Sequence, residues 1–415
     1  MRRVVITGIG AITPLGNSVQ EFWGNIIAGK SSAAPITKFN ATKYKTQFAC
    51  EVKDFDGEKY FERKDLRKYD LFSQYAVAAA EEAVKSANID FSSYSEFERE
   101  DIGVIWGSGN GGISTFEEQV GQLYIGDGTK FSPFFVPKKI EDIAAGIISI
   151  RYKLYGPNYC PVSACASSNT AIINAFDTIR AGKAIMMIAG GSEAPITAST
   201  IGGFNSAQAL SKRNDDPASA SRPFDKDRDG FVLGEGAGAL ILEEYEHAVK
   251  RNAPIFAELV GTGMAADAYH LTGTPPDGHG AVLGMKKALA EAGLKPEDIG
   301  YINAHATSTT QGDLSEVVAI EKVFGNYRPY VSGTKSMTGH LLGGAGAIEA
   351  IISVLAVKNG IIPPTINTQN LDEAIPKDMN LVLGKAVNAD VHYAMNNTFG
   401  FGGHTATSLF KKFEG

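Results

Sequence analysis

The chain has 415 residues, of which 44% are hydrophobic, so it is long enough for a large core divided into about two to three domains. Its 39 lysines and arginines against 46 aspartates and glutamates give a net charge of −7, which offers no support for nucleic-acid binding. Three cysteines are too few for a disulfide framework, and neither a signal peptide nor an apolar span of about twenty residues is evident. We therefore expect a cytoplasmic protein that binds neither nucleic acid nor a membrane.

The first predicted element is a strand at residues 4–11 (VVITGIGA), and its apolar run into Gly-x-Gly is repeated at residues 257–265 (AELVGTGMA). A second pattern also repeats, because residues 162–163 and residues 331–332 each lead into a helical pattern that ends at a glycine. Short apolar strands that alternate with helical patterns are typical of α/β layers. The two repeats together predict an α/β protein built from two duplicated halves.

The boundary between the halves is expected just after a run of charged residues that ends near residue 250. This gives an N-terminal half of residues 1–250 and a C-terminal half of residues 251–415. The longer first half would carry insertions at about residues 36–69 and 109–140.

Two motifs in the first half point to cofactors but are incomplete. Residues 107–112 fit G-x-G-x-x-G after an apolar run, yet nothing downstream completes a dinucleotide-binding domain. Residues 225–230 fit the start of a calcium loop, but Gly236 stands at the twelfth position, where a glutamate is needed. The sequence therefore predicts no metal site and no bound cofactor.

Cys165 lies where an apolar strand end meets small residues and then a helical pattern. A thiol at a strand-to-helix turn faces the positive end of the helix dipole, which favours the nucleophilic thiolate. A buried free cysteine with no chemical role is the alternative reading.

Two histidines and a glycine-rich turn follow in the second half. His305 comes after an apolar stretch, and His340 lies within a run of glycines and small residues. Either imidazole could donate an N–H group to an oxygen or accept a proton, although each alone could be structural. Residues 396–404 (NNTFGFGGH) form a turn whose backbone N–H groups suit an oxyanion.

This cysteine, these histidines and this glycine turn, in this order, resemble a β-ketoacyl-[acyl carrier protein] synthase, most closely of the synthase II type. The resemblance runs from residues 4–10 through residues 221–225 (SRPFD) to the final glycine turn. The synthase III type is less similar because it carries Asn at the position of His340. Thiolases would need a second cysteine after Cys165, and none follows. A catalytically silent partner subunit and a cysteine hydrolase fit less well.

The resemblance implies a thiolase-type five-layer αβαβα sandwich with the nucleophile in the first half and both catalytic histidines in the second. The implied reaction is the decarboxylative Claisen condensation of malonyl-[acyl carrier protein] with an enzyme-bound acyl chain, which elongates fatty acids by two carbons. A ketosynthase of a discrete polyketide or aryl-polyene pathway is the alternative. The substrates would arrive on the 4′-phosphopantetheine of an acyl carrier protein, with no other cofactor.

The resemblance also implies a role for each site residue. Cys165 would hold the acyl chain, and its backbone N–H and that of Phe401 would bind the oxyanion. His305 and His340 would stabilise the enolate. Lys335 would order His305. Phe401 would also gate the site. The remaining residues expected to bind substrate or support the site are Thr307, Thr309, Phe204, Asn110, Phe399, Glu349 (which would neutralise Lys335) and the partner subunit's Phe135.

Basic residues would dock the acidic carrier protein, namely Lys64, Arg67, Lys68 and Lys130. Gln208 and Thr129 stand where basic residues are usual. By resemblance the protein is a homodimer, in which the apolar strand at residues 184–189 pairs across the two-fold axis.

Overall fold

The computed structural model describes residues 1–125 and 130–415, so Thr129 lies outside the described residues. The strands within these ranges are β1 Val4–Ile12, β2 Ala34–Pro35, β3 Phe48–Ala49, β4 Ile102–Gly107, β5 Asn158–Tyr159, β6 Met186–Glu193, β7 Gly236–Glu244, β8 Ala257–Ala266, β9 Tyr301–Asn303, β10 Tyr330–Ser332, β11 Ile361–Ile362, β12 Val387–Asn388, β13 Tyr393–Gly400 and β14 His404–Lys412. The helices are α1 Val19–Ile27, α2 Arg63–Leu66, α3 Leu71–Ser86, α4 Glu96–Arg99, α5 Ile113–Ile125, α6 Phe135–Lys139, α7 Ile143–Tyr152, α8 Ser167–Arg180, α9 Ala198–Ser206, α10 Tyr245–Lys250, α11 His279–Ala292, α12 Thr310–Phe324, α13 Lys335–Thr338 and α14 Ala345–Asn359.

The strand order shows the duplication directly. The main sheet runs β10-β9-β13-β14-β8-β1-β7-β6-β4-β5, and it reads the same way outward from its centre in both directions. In each half the three outer strands pair in parallel, namely β10, β9 and β13 in one half and β5, β4 and β6 in the other. The two inner pairings of each half are antiparallel, through β14 in one half and β7 in the other. The halves join where β1 pairs with β8, for example through Val4 and Leu259. The repeated sequence patterns therefore correspond to equivalent strands.

The repeated Gly-x-Gly has the same steric cause in both halves. A Cβ atom on Gly10 of β1 would lie 2.0 Å from the backbone oxygen of Ala79 in α3. A Cβ atom on Gly263 of β8 would likewise lie 2.0 Å from the backbone oxygen of Gly284 in α11. Only glycine lets a helix backbone approach a strand so closely.

Three hydrophobic clusters divide the molecule into five layers. One cluster joins α3 and α7 to the outer face of the first half-sheet, and another joins α11 and α12 to the outer face of the second. The largest cluster contains α8 and α14 together with strands from both half-sheets, so these two helices form the central layer. This is the predicted αβαβα sandwich, and the fold class is confirmed.

The segment from Leu342 to Asn359, which includes α14, is long and apolar enough to cross a membrane, but 89% of it is buried inside the protein. It is therefore the core helix of the central layer. Glu349 is the one ionisable residue among its buried positions, and its partner lies at the active site.

The predicted dimer strand at residues 184–189 is placed differently from the expectation. This segment enters β6, which lies between β4 and β7, so both of its edges already carry hydrogen bonds. The expectation that it pairs across a two-fold axis is wrong, because an interior strand has no free edge. Among the described strands of the first half, β5 is the one at the outer edge of the sheet.

Candidate active site

Cys165 lies in a tight turn, Ala164–Ala166, immediately before α8 of the central layer. Ala164 holds a left-handed backbone conformation with φ of 51°, which an alanine adopts only under constraint. Ser167 helps to fix the turn, because its hydroxyl donates to the backbone oxygen of Ala164 at 2.7 Å and accepts from the N–H of Ser163 at 2.9 Å. The thiol is thereby presented on a rigid element.

Two backbone N–H groups point at this thiol, those of Cys165 itself and of Phe401. They meet because the glycine turn after β13 packs directly against the cysteine turn. A Cβ atom on Gly400 would lie 2.5 Å from the backbone oxygen of Ser163, so only glycine fits there. Two preorganised donors beside a nucleophile have the arrangement of an oxyanion hole.

Burial raises the pKa of the Cys165 thiol to about 12, although Lys335 and the two N–H groups act in the opposite direction. The sequence suggested that the helix dipole favours the thiolate. In the structure desolvation of the charged form outweighs it. The Cys165 thiol is therefore protonated at physiological pH.

His305 and His340 face each other from separate loops of the second half. Their ring centroids are 5.3 Å apart and the rings are nearly perpendicular, at 87°. Burial, followed by the positive charge of Lys335, lowers the pKa of both imidazoles well below 6.5. Both histidines are therefore neutral at physiological pH and can each present an N–H donor.

Lys335 decides which nitrogen of His305 carries the proton. Its ammonium nitrogen lies 3.3 Å from Nδ1 of His305 and donates to the backbone oxygen of His305 at 2.7 Å. An ammonium group only donates, so Nδ1 must accept and the proton resides on Nε2. Lys335 is balanced by a buried ion pair with Glu349.

A further buried acid, which sequence reasoning missed, holds the His305 loop. Glu316 in α12 accepts the backbone N–H groups of His305 and Ala306, each at 2.9 Å. Burial raises the pKa of Glu316 to about 7. In the sequence, Glu316 shows only as an acidic residue on the buried face of the amphipathic helix α12. That pattern does not indicate that its partner is the His305 loop.

One cavity of about 410 Å³ joins these groups and is lined from both halves. The predicted residues that line it are Cys165, His305, His340, Asn110, Phe204, Thr307, Thr309, Phe399 and Phe401. Lys335 and Glu349 lie behind His305, where they are 1% and 2% exposed. Glu349 is therefore a support for Lys335, and its grouping with the substrate-binding residues is wrong.

Phe135 does not line the cavity in this chain. It lies in α6, where it contacts the rings of Phe131 and Phe116 at centroid distances of 5.2 and 6.4 Å. A role across a dimer interface stays a prediction.

The residues expected to dock the carrier lie on the surface. Lys64 and Lys68 belong to α2 and the turn after it, and each is paired with a neighbouring acid, Glu62 at 2.7 Å and Asp65 at 2.5 Å. Arg67 and Lys130 are exposed. The local acids weaken the positive field of this patch.

In the motif at residues 225–230 the first carboxylate binds backbone N–H groups of the protein itself. Asp225 accepts N–H groups from Asp227, Gln369 and Asn370, at 2.7 to 2.9 Å. Its carboxylate is therefore used to join two loops.

We expect Lys335→Met to lower the free energy of unfolding by about 3–5 kcal/mol, because it leaves Glu349 buried without its partner. Urea denaturation at pH 8 measures this, because the pKa of Glu349 is about 7 with Lys335 in place and rises further without the ammonium group, so the variant must either keep a buried unpaired carboxylate or take up a proton. The loss should shrink as the pH falls toward 7, where Glu349 of the wild type also takes up a proton and the ion pair is lost. The double variant Lys335→Met/Glu349→Leu should recover most of it, and a single variant as stable as the wild type at pH 8 would contradict the buried pair.

Thiolase-type condensing enzymes are the class that combines this duplicated five-layer fold with a cysteine at the start of a central helix. A family profile, "Beta-ketoacyl synthase, N-terminal domain", matches residues 1–248, and its C-terminal counterpart matches residues 256–369. The chain therefore belongs to the β-ketoacyl synthase family, as the motifs predicted.

Full-length relatives agree with this assignment. The chain is 47% identical to 3-oxoacyl-[acyl-carrier-protein] synthase 2 of Synechocystis sp., over 100% of this chain and 99% of that protein. The structure of the ishigamide ketosynthase/chain length factor has a TM-score of 0.93 and 34% identity, with 99% of each chain covered. A ketosynthase in complex with a type II polyketide acyl-carrier protein has a TM-score of 0.89 and 32% identity, with 100% of each chain covered.

Proposed function

We propose that the protein is an acyltransferase that condenses malonyl-[acyl carrier protein] with an acyl chain held on Cys165, elongating fatty acids by two carbons. The observation that carries this proposal is the pair of neutral histidines in one cavity with a cysteine and two backbone donors. A hydrolase needs one base beside its nucleophile. Two neutral imidazoles that share a cavity with an acyl-cysteine instead suit an enolate.

The first half-reaction transfers the acyl group. The Cys165 sulfur attacks the carbonyl of the acyl-carrier thioester, and the N–H groups of Cys165 and Phe401 bind the oxyanion. The bond to the pantetheine sulfur breaks, and the proton from Cys165 ends on that leaving thiol. The carrier then departs and the acyl chain stays on Cys165.

The second half-reaction forms the carbon–carbon bond. His305, through Nε2–H, and His340 donate to the thioester carbonyl of the malonyl group. As CO₂ leaves, the electrons of the broken bond become an enolate held by both donors. The enolate carbon attacks the acyl-Cys165 carbonyl, and expulsion of the Cys165 thiolate gives the 3-oxoacyl product.

An acyl carrier protein is the proposed partner. Thr307 and Thr309 would line the path of its phosphopantetheine arm, and their hydroxyls lie 3.1 Å apart at the cavity wall. Lys64, Arg67, Lys68 and Lys130 would meet its acidic surface and raise the rate of association. We further propose a cytoplasmic location. We also propose a division of the chain at residues 1–250 and 251–415, because α10 follows the last strand of the first half and β8 begins the second half.

The reaction is tested by incubating the protein with acyl-carrier and malonyl-carrier substrates over a range of chain lengths and identifying products by mass spectrometry. A 3-oxoacyl product two carbons longer than the primer is expected, with one CO₂ released for each condensation. Free fatty acid without a new carbon–carbon bond would instead indicate a hydrolase.

A ketosynthase of a polyketide or aryl-polyene pathway is the second candidate, favoured by the polar Asn110 in the cavity. The same incubation separates the two candidates. Repeated condensation without reduction of the 3-oxo groups, on carriers that deliver such chains, would favour the polyketide assignment.

A homodimer is proposed, with the edge strand β5 at its centre. Tyr155, Tyr159 and Val162 around this strand are 51%, 41% and 57% exposed, so an apolar surface adjoins a sheet edge that no described strand covers. We expect a dimer by analytical ultracentrifugation at micromolar concentration and a monomer for Val162→Asp. Val249→Asp, which changes an exposed valine on α10, is the matched control and should stay dimeric. A monomeric wild-type protein would contradict the proposal.

A further inference from the structure

Asn110 is anchored on one side by a buried acid. Its Nδ2 lies 3.2 Å from Oε2 of Glu193, and its backbone N–H lies 3.2 Å from Oε1 of the same group. Glu193 ends β6 and is 0% exposed. Burial raises the pKa of Glu193 to about 7, so above that pH the group is a carboxylate that only accepts hydrogen bonds, and the amide of Asn110 must turn its nitrogen toward it.

The other amide atom, Oδ1, therefore points away from Glu193. Among the described residues no donor reaches Oδ1, and the atom is not sealed from solvent. Asn110 lines the same cavity as Cys165. An Oδ1 atom that faces this cavity is a hydrogen-bond acceptor at a fixed place on its wall.

Glu193 is a rigid anchor for this acceptor. It also accepts the backbone N–H groups of Gly109 and Gly343, so it is fixed from two separate loops. A Cβ atom on Gly343 would lie 2.6 Å from Oε1 of Glu193, which shows how closely that loop covers the carboxylate. Glu193 would keep these backbone contacts without the Asn110 side chain, so holding the loop does not require an amide at position 110.

We propose that Asn110 is a specificity-determining residue that favours an acyl chain with a hydroxyl group at its depth over a saturated chain of equal length. The proposal rests on the proposed function, because a chain is placed beside Asn110 only while it is attached to Cys165. A saturated chain would displace water from Oδ1 and leave that acceptor unpaired. A hydroxyl at the same depth donates to Oδ1 in place of the water.

The experiment compares acylation of Cys165, read by intact mass, from a medium-length saturated acyl-carrier and from isomers whose hydroxyl moves carbon by carbon along the chain. For one or two neighbouring positions we expect acylation about threefold to tenfold faster than for the saturated chain. The corresponding methyl ethers have no donor and should show no such gain. Asn110→Leu should abolish the hydroxyl advantage and accelerate the saturated chain.

Glu193→Gln tests the anchor separately. The new amide can keep its oxygen toward the three backbone N–H groups of Gly109, Asn110 and Gly343 and present its nitrogen to the side chain of Asn110, which then turns its own Nδ2 to the cavity. The methyl ethers should gain in this variant, whereas they gain nothing in the wild type. A merely structural role for Glu193 would change all chains equally.

Acylation of the wild type by the shortest acyl-carrier that it accepts is measured in parallel, because a short chain places least beside Asn110. If the wild type shows no acylation of Cys165 by any acyl-carrier, the proposed function fails. Acylation without a preference for any hydroxylated isomer, or a preference that Asn110→Leu leaves unchanged, would overturn the role of Asn110 while the proposed function stands.

Discussion

Cys165→Ala is expected to remove acylation altogether and to lower the rate of condensation by roughly 10⁴-fold or more, since the covalent intermediate cannot form. Intact-mass analysis after incubation with an acyl carrier shows the loss of the adduct, and peptide mapping of the wild type places the adduct on Cys165. The substitution removes only the sulfur atom of a partly exposed side chain, so the protein should remain folded and keep its backbone oxyanion donors.

Thiol acidity does not single out Cys165, because burial raises the pKa of all three thiols to about 12. Position does. Cys50 is 1% exposed and, like Cys160, lies outside the cavity lining, whereas Cys165 lies within it. Cys160→Ala is therefore the matched control and should acylate at the wild-type rate. An adduct that persists in Cys165→Ala would show that another residue is the nucleophile.

His305→Ala and His340→Ala are each expected to slow malonyl decarboxylation by about 10²–10³-fold, because each removes one donor to the enolate. Acylation of Cys165 should persist at least in part, since the backbone N–H groups serve that step. Decarboxylation is followed by CO₂ release and by the mass of the carrier. Equal losses in both half-reactions would mean that the roles are wrongly assigned.

The same imidazoles set an expected pH profile. Because burial and Lys335 lower the pKa of His305 and His340 well below 6.5, both stay neutral above that pH. NMR titration of the two imidazoles should therefore show no protonation near pH 6.5, whereas an imidazole with an ordinary pKa would titrate at about that value. The rate of decarboxylation by Cys165→Ala, which isolates this step, also depends on Glu316 and Glu349, because burial raises the pKa of each to about 7.

The parts of the molecule that the sequence predicted are those that depend on local chemistry. The Gly-x-Gly repeats are required where a helix backbone meets a strand, and this requirement appears in both halves. The small residues around Cys165 and the glycines after β13 are required for the close approach of two turns. Each of these features leaves a pattern within a few residues, so the fold class and the residues around the cavity could be predicted.

The parts that the sequence did not predict depend on contacts between distant segments. Glu316 and Glu193 are ordinary acids in sequence, and only their burial beneath the site loops shows their use. The position of β6 was misjudged because an apolar run fits an edge strand at a dimer axis as well as a strand buried inside one sheet. The fully buried pattern of β6 is typical of the second case.

The place of α14 in the central layer has a consequence for biosynthesis. This helix packs on both half-sheets, and Ala347 comes so close to β7 that a Cβ atom on Gly238 would lie 2.9 Å from it. A ribosome releases the first half-sheet and α8 well before it releases α14, so the part of that half which α14 covers, including its contact with β7, emerges uncovered. The nascent chain therefore exposes this apolar surface until residue 359 has left the exit tunnel, and the first half depends on the second, or on a chaperone, to cover it during synthesis.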